Sequence, residues 1–158
     1  DRLAAGACRQ MPGLLSPGRP GGAACRAGCL LLEVWQACNK SGHELLLEVI
    51  LPENGPDKDE RHYHTMLEHF YQLGIKPDWW KLPPLSSASW QQITALIERE
   101  DPWSRGILIL GLDAPSDKLR AGFAEAAAHP MIKGFAVGRT IFGQPSRRWM
   151  QGELSDEA

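Results

Sequence analysis

The sequence predicts an α/β fold built from four consecutive strand–helix units. Three observations point there. Short apolar runs (ELLLEVIL, PDWWKL, RGILILGL and IKGFAV) recur along the chain from Glu44 onward. Each is followed by a stretch whose apolar residues return at helical spacing, so strand and helix alternate strictly. The runs are apolar for most of their length instead of alternating, which is the pattern of parallel strands covered on both faces. From spacing alone, a doubly wound sheet and half of a barrel both remain possible.

In chain order, Leu30 to Lys40 reads as a helix with Leu31, Val34 and Trp35 on one face, broken by Ser41-Gly42. Glu44 to Leu51 is the first strand, ended by Pro52. A polar loop, ENGPDKDE, leads into a helix from Asp57 to Leu73. Its inward positions are Tyr63, Met66, Leu67, Phe70 and Leu73, and Gly74 caps it. Pro77 to Leu82 is the second strand. Ser86 or Ser89 opens the next helix, which runs to Glu98 with Trp90, Ile93, Leu96 and Ile97 inward. Arg105 to Leu112 is the third strand, and Pro115-Ser116 starts a helix through Ala128. Ile132 to Val137 is the fourth strand, and Thr140 to Gly152 forms one or two short helices.

Residues 1–29 have a different texture. They are rich in Gly, Ala, Arg, Pro and Cys and show no sustained period of 2 or 3.6, so they are expected to be a disordered or non-native segment. The domain is expected to span residues 30–158.

The chain has 158 residues and a net charge of -2. It falls short of the roughly 250 residues of an ordinary (β/α)₈ barrel. Near-neutral charge gives no electrostatic reason to expect nucleic acid or an anionic membrane as partner. No apolar run approaches the roughly 20 residues of a membrane span. Cys8, Cys25, Cys29 and Cys38 fit no common zinc spacing and include no CxxC, so they read as reduced thiols in a cytoplasmic protein.

Polar residues inside the apolar strands carry the chemistry. Glu48 shares a strand face with Leu46 and Ile50. On a barrel interior it would be a desolvated carboxylate near the C-terminal mouth, suited to proton transfer. The plainer alternative is a strand-end carboxylate in an ion pair. Lys81 lies between Trp80 and Leu82, on the face of Trp79. Lysine is rarely buried without reason. A desolvated amine is the form that attacks a carbonyl to make a Schiff base. The alternative is a lysine that snorkels or pairs with Asp78. Gly111, with Asp113 beyond it, follows the third strand, and Gly138-Arg139 follows the fourth. Glycine lets backbone N–H groups approach an anion, and an arginine adds a charged fork.

Taken together, HELLLEVILP, YQLGIKPDWWKLPPL, RGILILGLDAP and KGFAVGRTIFGQPSRRW resemble the aldolase-like domain joined to the sugar kinase 5-dehydro-2-deoxygluconokinase of bacterial inositol catabolism. More distantly, they are similar to class I tagatose-1,6-bisphosphate aldolase. The resemblance spans residues 30–158 and stops short of the first 29. It implies a (β/α)₈ TIM barrel of which this chain is the C-terminal half, strands 5–8. It places the Schiff-base lysine on Lys81, the acid/base glutamate on Glu48, and the substrate phosphate on Gly111, Gly138 and Arg139. The implied reaction is retro-aldol cleavage of 2-deoxy-5-keto-gluconate 6-phosphate to dihydroxyacetone phosphate and malonate semialdehyde, with no metal and no cofactor.

The resemblance also implies that strands 1–4 and the kinase domain lie outside this chain, which is then expected to be weakly active or inactive alone. A fused or associated sugar kinase is one expected partner. Self-association through the exposed half-barrel is another. In the alternative reading the domain is a non-catalytic module appended to the kinase. His62, His64 and His69 are expected on a solvated helix face, and the tryptophans in packing layers.

Overall fold

Residues 21–51, 59–111 and 116–156 are described in the structure, a computed structural model. Helix α1 (Gly21–Ser41) begins nine residues before the expected start at Leu30. Alanine, arginine and leucine favour helix, while the glycines among them hide its periodicity. It docks through Trp35, whose Nε1 donates to the Lys76 carbonyl at 2.7 Å. Cys29 is disulfide-bonded, which corrects the expectation of reduced thiols throughout, and Cys38 is a free thiol.

Strand β1 (Leu46–Glu48) is shorter than the apolar run that encodes it. Its pairing with the next strand extends one residue past each end, through Trp79 N to Leu45 O (3.1 Å) and Val49 N to Lys81 O (3.0 Å). Helix α2 (Arg61–Gln72) buries Tyr63, Leu67 and Tyr71. It stops where Gly74 takes a φ of 78°. Gly74 N donates to Tyr71 O and Ile75 N to Phe70 O, the paired bonds of a Schellman end.

Strand β2 (Trp79–Leu82) leads to helix α3 (Ser87–Glu100), which buries the expected Trp90, Ile93, Leu96 and Ile97. Ser86 is its N-cap and accepts from Ser89 N. The same turn is held from outside: the Glu60 carboxylate accepts from Ser86 N (3.0 Å), Ser86 Oγ (2.6 Å) and Ser89 Oγ (2.8 Å). Burial acts to raise the Glu60 pKa, but these bonds outweigh it and hold the group below the ordinary glutamate value.

Strand β3 (Gly106–Leu110), helix α4 (Ser116–Ala126), strand β4 (Ile132–Ala136) and helix α5 (Arg139–Met150) complete the order. Gly106 has a φ of 129°, and a Cβ there would lie 2.4 Å from the Met131 carbonyl, so this close strand crossing admits only glycine. Helix α5 is a single helix that carries Pro145 inside it.

The four strands are parallel and lie in the order β1-β2-β3-β4. Right-handed crossovers between strands in sequence order place every connecting helix on one face. A doubly wound sheet instead reverses its order at a switch point. The core follows the single winding. Val49, Trp80, Leu82, Ile107 and Ile109 form one sheet face and pack with Tyr63, Leu67, Tyr71, Trp90, Ile93 and Ile97 of α2 and α3. The opposite face is open at β1, with Leu46 42% exposed and Ile50 51% exposed, whereas Leu110, which shares that face on β3, is buried. The expectation of cover on both faces therefore holds in full on one face and only in part on the other. This architecture, an α/β layer with a four-stranded parallel sheet, is compatible with half of a barrel.

Candidate active site

Lys81 and Glu48 meet on the open face. Each is its strand's answer to a simple constraint: alternation in WWKL sends Trp80 and Leu82 into the core and turns Lys81 the other way. Trp80 is fully buried, and its Nε1 donates to the Tyr71 hydroxyl at 2.9 Å. Tyr71 and Phe70 also flank the indole, at centroid distances of 5.6 Å and 6.0 Å. Burial holds the Tyr71 phenol well above its usual pKa, so it stays a neutral partner. The indole thus anchors β2 from behind and fixes which way Lys81 points.

Glu48 is the register partner of Lys81 across β1 and β2. Lys81 Nζ lies 3.2 Å from Glu48 Oε1, with the two side chains 20% and 40% exposed. Glu48 is therefore not the buried carboxylate expected of a closed interior. Lys81 pairs with Glu48 rather than with Asp78. The Asp78 carboxylate accepts from Leu45 N at 2.8 Å, which ties β1 to the entry of β2.

On its other side Lys81 is registered with Leu108, and Leu108 with Gly134. A Cβ at Gly134 would meet nothing within 4 Å, so the face is open there too.

Gly111 and Gly138-Arg139 leave neighbouring strands at the same edge of the sheet. Leu110 and Ala136 are register partners, Gly111 follows one and Gly138 lies two residues past the other. Gly111 is buried and Arg139 is exposed. Gly138 is the N-cap of α5, and its carbonyl accepts from Ile141 N and Phe142 N. Helix α5 thus starts three residues past β4, at the C-terminal edge of the sheet, and a helix N-terminus is where unbonded backbone N–H groups can meet an anion. Two strand spacings and two residue rises separate Lys81 from Ala136, a Cα separation on the order of 12 Å. Asp113 lies outside the described residues.

Sequence reasoning missed the latch at the opposite edge. The Glu44 carboxylate accepts from Trp79 Nε1 at 2.8 Å and pairs with Arg105 at 2.8 Å. The residues just before β1 and β3, one acidic and one basic, were the available signal. Among the described residues, no group of three or more His, Cys, Asp or Glu is placed to hold a metal ion. None of their helices is long and apolar enough to cross a membrane.

These features define an α/β protein with a lysine–glutamate pair on the uncovered face of a parallel sheet. The chain belongs to the family described as "uncharacterized protein conserved in bacteria" (DUF2090), which matches residues 24–158. The match takes in part of α1 as well as the four strand–helix units. No curated protein matches the chain. No solved structure matches it either.

Proposed function

We propose that this domain is a class I, Schiff-base aldolase: a carbon–carbon lyase of TIM-barrel type acting on a phosphorylated keto sugar acid in the cytoplasm. The observation that carries the reading is the Lys81–Glu48 pair, 3.2 Å apart on the open face near the C-terminal ends of adjacent parallel strands. In parallel α/β architectures, ligands bind at that end.

In this reading Glu48 takes a proton from the Lys81 ammonium, and the neutral amine attacks the substrate ketone. Loss of water leaves an iminium. A base removes the proton of the hydroxyl on the carbon β to the iminium, the α–β bond breaks with its electron pair passing to the iminium as an enamine, and the β-carbon fragment leaves as the aldehyde product. Reprotonation and hydrolysis release the ketone product and restore Lys81. Gly111, Gly138 and Arg139 would hold the phosphate, within reach of the estimated spacing from Lys81. The resemblance to the domain attached to 5-dehydro-2-deoxygluconokinase supplies the candidate substrate, 2-deoxy-5-keto-gluconate 6-phosphate.

The test is to incubate the chain with dihydroxyacetone phosphate and borohydride and to locate the adduct by mass spectrometry. A reduced adduct on Lys81 is expected. A folded sample with no adduct, both alone and when attached to its kinase partner, would favour the non-catalytic module. The ion pair itself gives that alternative its footing, since it satisfies both charges without any substrate.

A further inference from the structure

We propose that two copies of this chain close on each other edge to edge, forming one eight-stranded barrel. The observation is where the exposed apolar side chains lie. Leu30 and Val34 sit on α1, Leu46 and Ile50 at β1, and Phe135 and Ile141 on β4 and α5. Three more, on α5, extend the second group. Among the described residues, Trp103 is the one exposed large hydrophobic side chain that falls outside these two groups. The two middle strand–helix units otherwise cover theirs. Exposure is thus concentrated on α1 and β1 and on β4 and α5, on strands and helices alike.

That distribution selects the mode of association. Strands β1 and β4 are the two edges of the sheet. A two-fold axis parallel to the strands sets β4 of one copy beside β1 of the partner, and does so at both seams. All eight strands then run parallel, no edge remains, and the assembly is closed. Eight strands enclose an interior that side chains can fill. Stacking the open faces instead would cover Leu46 and Ile50 but leave the helix-layer side chains and both edges in water.

The area is sufficient. Nine side chains, each about half exposed and each on the order of 200 Å² when fully open, present roughly 1,000 Å² of apolar surface per copy. Burying two-thirds of that on both copies reaches the lower bound of about 1,200 Å² for a specific interface. Closure also completes the site. The partner supplies the far wall that a lone layer lacks, so two Lys81–Glu48 pairs face one enclosed interior. The inference does not rest on Lys81 being a nucleophile.

Sedimentation velocity on the full chain at micromolar concentration should give the mass of two chains. Amide exchange should slow by roughly tenfold or more, relative to a dilute sample, in peptides covering both Leu46–Glu48 and Ile132–Ala136. Leu46→Asp combined with Ile50→Asp changes two side chains already exposed in the single copy, and should yield a folded monomer. A folded wild-type monomer would overturn the proposal. So would open-ended oligomers, or a dimer in which either edge strand exchanges as fast as when dilute. If the double variant does not fold, the exchange pattern of the wild-type protein decides alone.

Discussion

Replacing Tyr71 with phenylalanine removes one oxygen from the anchor behind the candidate site. The Trp80 indole is fully buried and donates to that oxygen at 2.9 Å. Without it, the indole N–H is left in an apolar setting beside Phe70 and a phenylalanine ring. Stranding a buried neutral donor costs about 1–3 kcal/mol. The edge-to-face packing survives, so no large cavity term adds to it. In a chain of this size the melting temperature should fall by about 2–4 °C per kcal/mol. Denaturant titration should shift the midpoint and leave the slope unchanged.

A second signature follows from ionisation. Burial raises the Tyr71 pKa above its unfolded value of 10.0. Its contribution is complete below pH 10 and is lost as pH rises further, because the unfolded chain ionises first. Phenylalanine has no such loss. The gap between wild type and Tyr71→Phe should therefore be constant at neutral pH and narrow above pH 10. A cost below about 0.5 kcal/mol would mean that the indole N–H finds another partner or a water molecule, and the account of how β2 is anchored would fail.

Two further outcomes concern the site and the turn that holds α3. Lys81→Met and Glu48→Gln remove a pair whose side chains are 20% and 40% exposed, so each should cost under about 1 kcal/mol in denaturant unfolding. Lys81→Met and Lys81→Arg should both abolish the borohydride adduct, although arginine keeps the charge; Glu48→Gln should slow adduct formation by roughly 10²–10⁴-fold. An adduct that persists in Lys81→Arg would place the reactive amine elsewhere. Glu60→Gln weakens the hold on Ser86 and Ser89 and should cost about 1 kcal/mol at pH 7. The Glu60 pKa is lowered on folding, so its contribution is present above the unfolded value of 4.5 and is lost as pH falls through the folded value. Unfolding midpoints at pH 7 and pH 3 should show the gap between wild type and variant closing in acid; a gap that widens there would contradict the assignment.

How much of this was legible in the sequence depends on the range of the interaction. Local chemistry reads well. Ser86 caps α3 and Gly74 ends α2 because both effects act within four residues. Trp90, Ile93, Leu96 and Ile97 share a face because helical spacing alone decides it. The start of α1 at Gly21 was hidden, since glycine and alanine leave no apolar period to detect. The Lys81–Glu48 pair was also hidden as a pair. Both residues stand out, but their meeting depends on the register between β1 and β2, and a one-residue slip would turn either side chain to the opposite face.

The open face is the instructive case. Continuous apolar strands imply cover on both sides, yet the strand order places the connecting helices on one. Leu46 and Ile50 are left without that cover, although Leu110 on the same face is buried. An enclosed interior, as in the barrel proposed above, would supply that cover. The proposed Schiff-base chemistry would call for the same enclosure, because excluding water is what would let a lysine and a glutamate 3.2 Å apart act on a carbonyl instead of only neutralising each other.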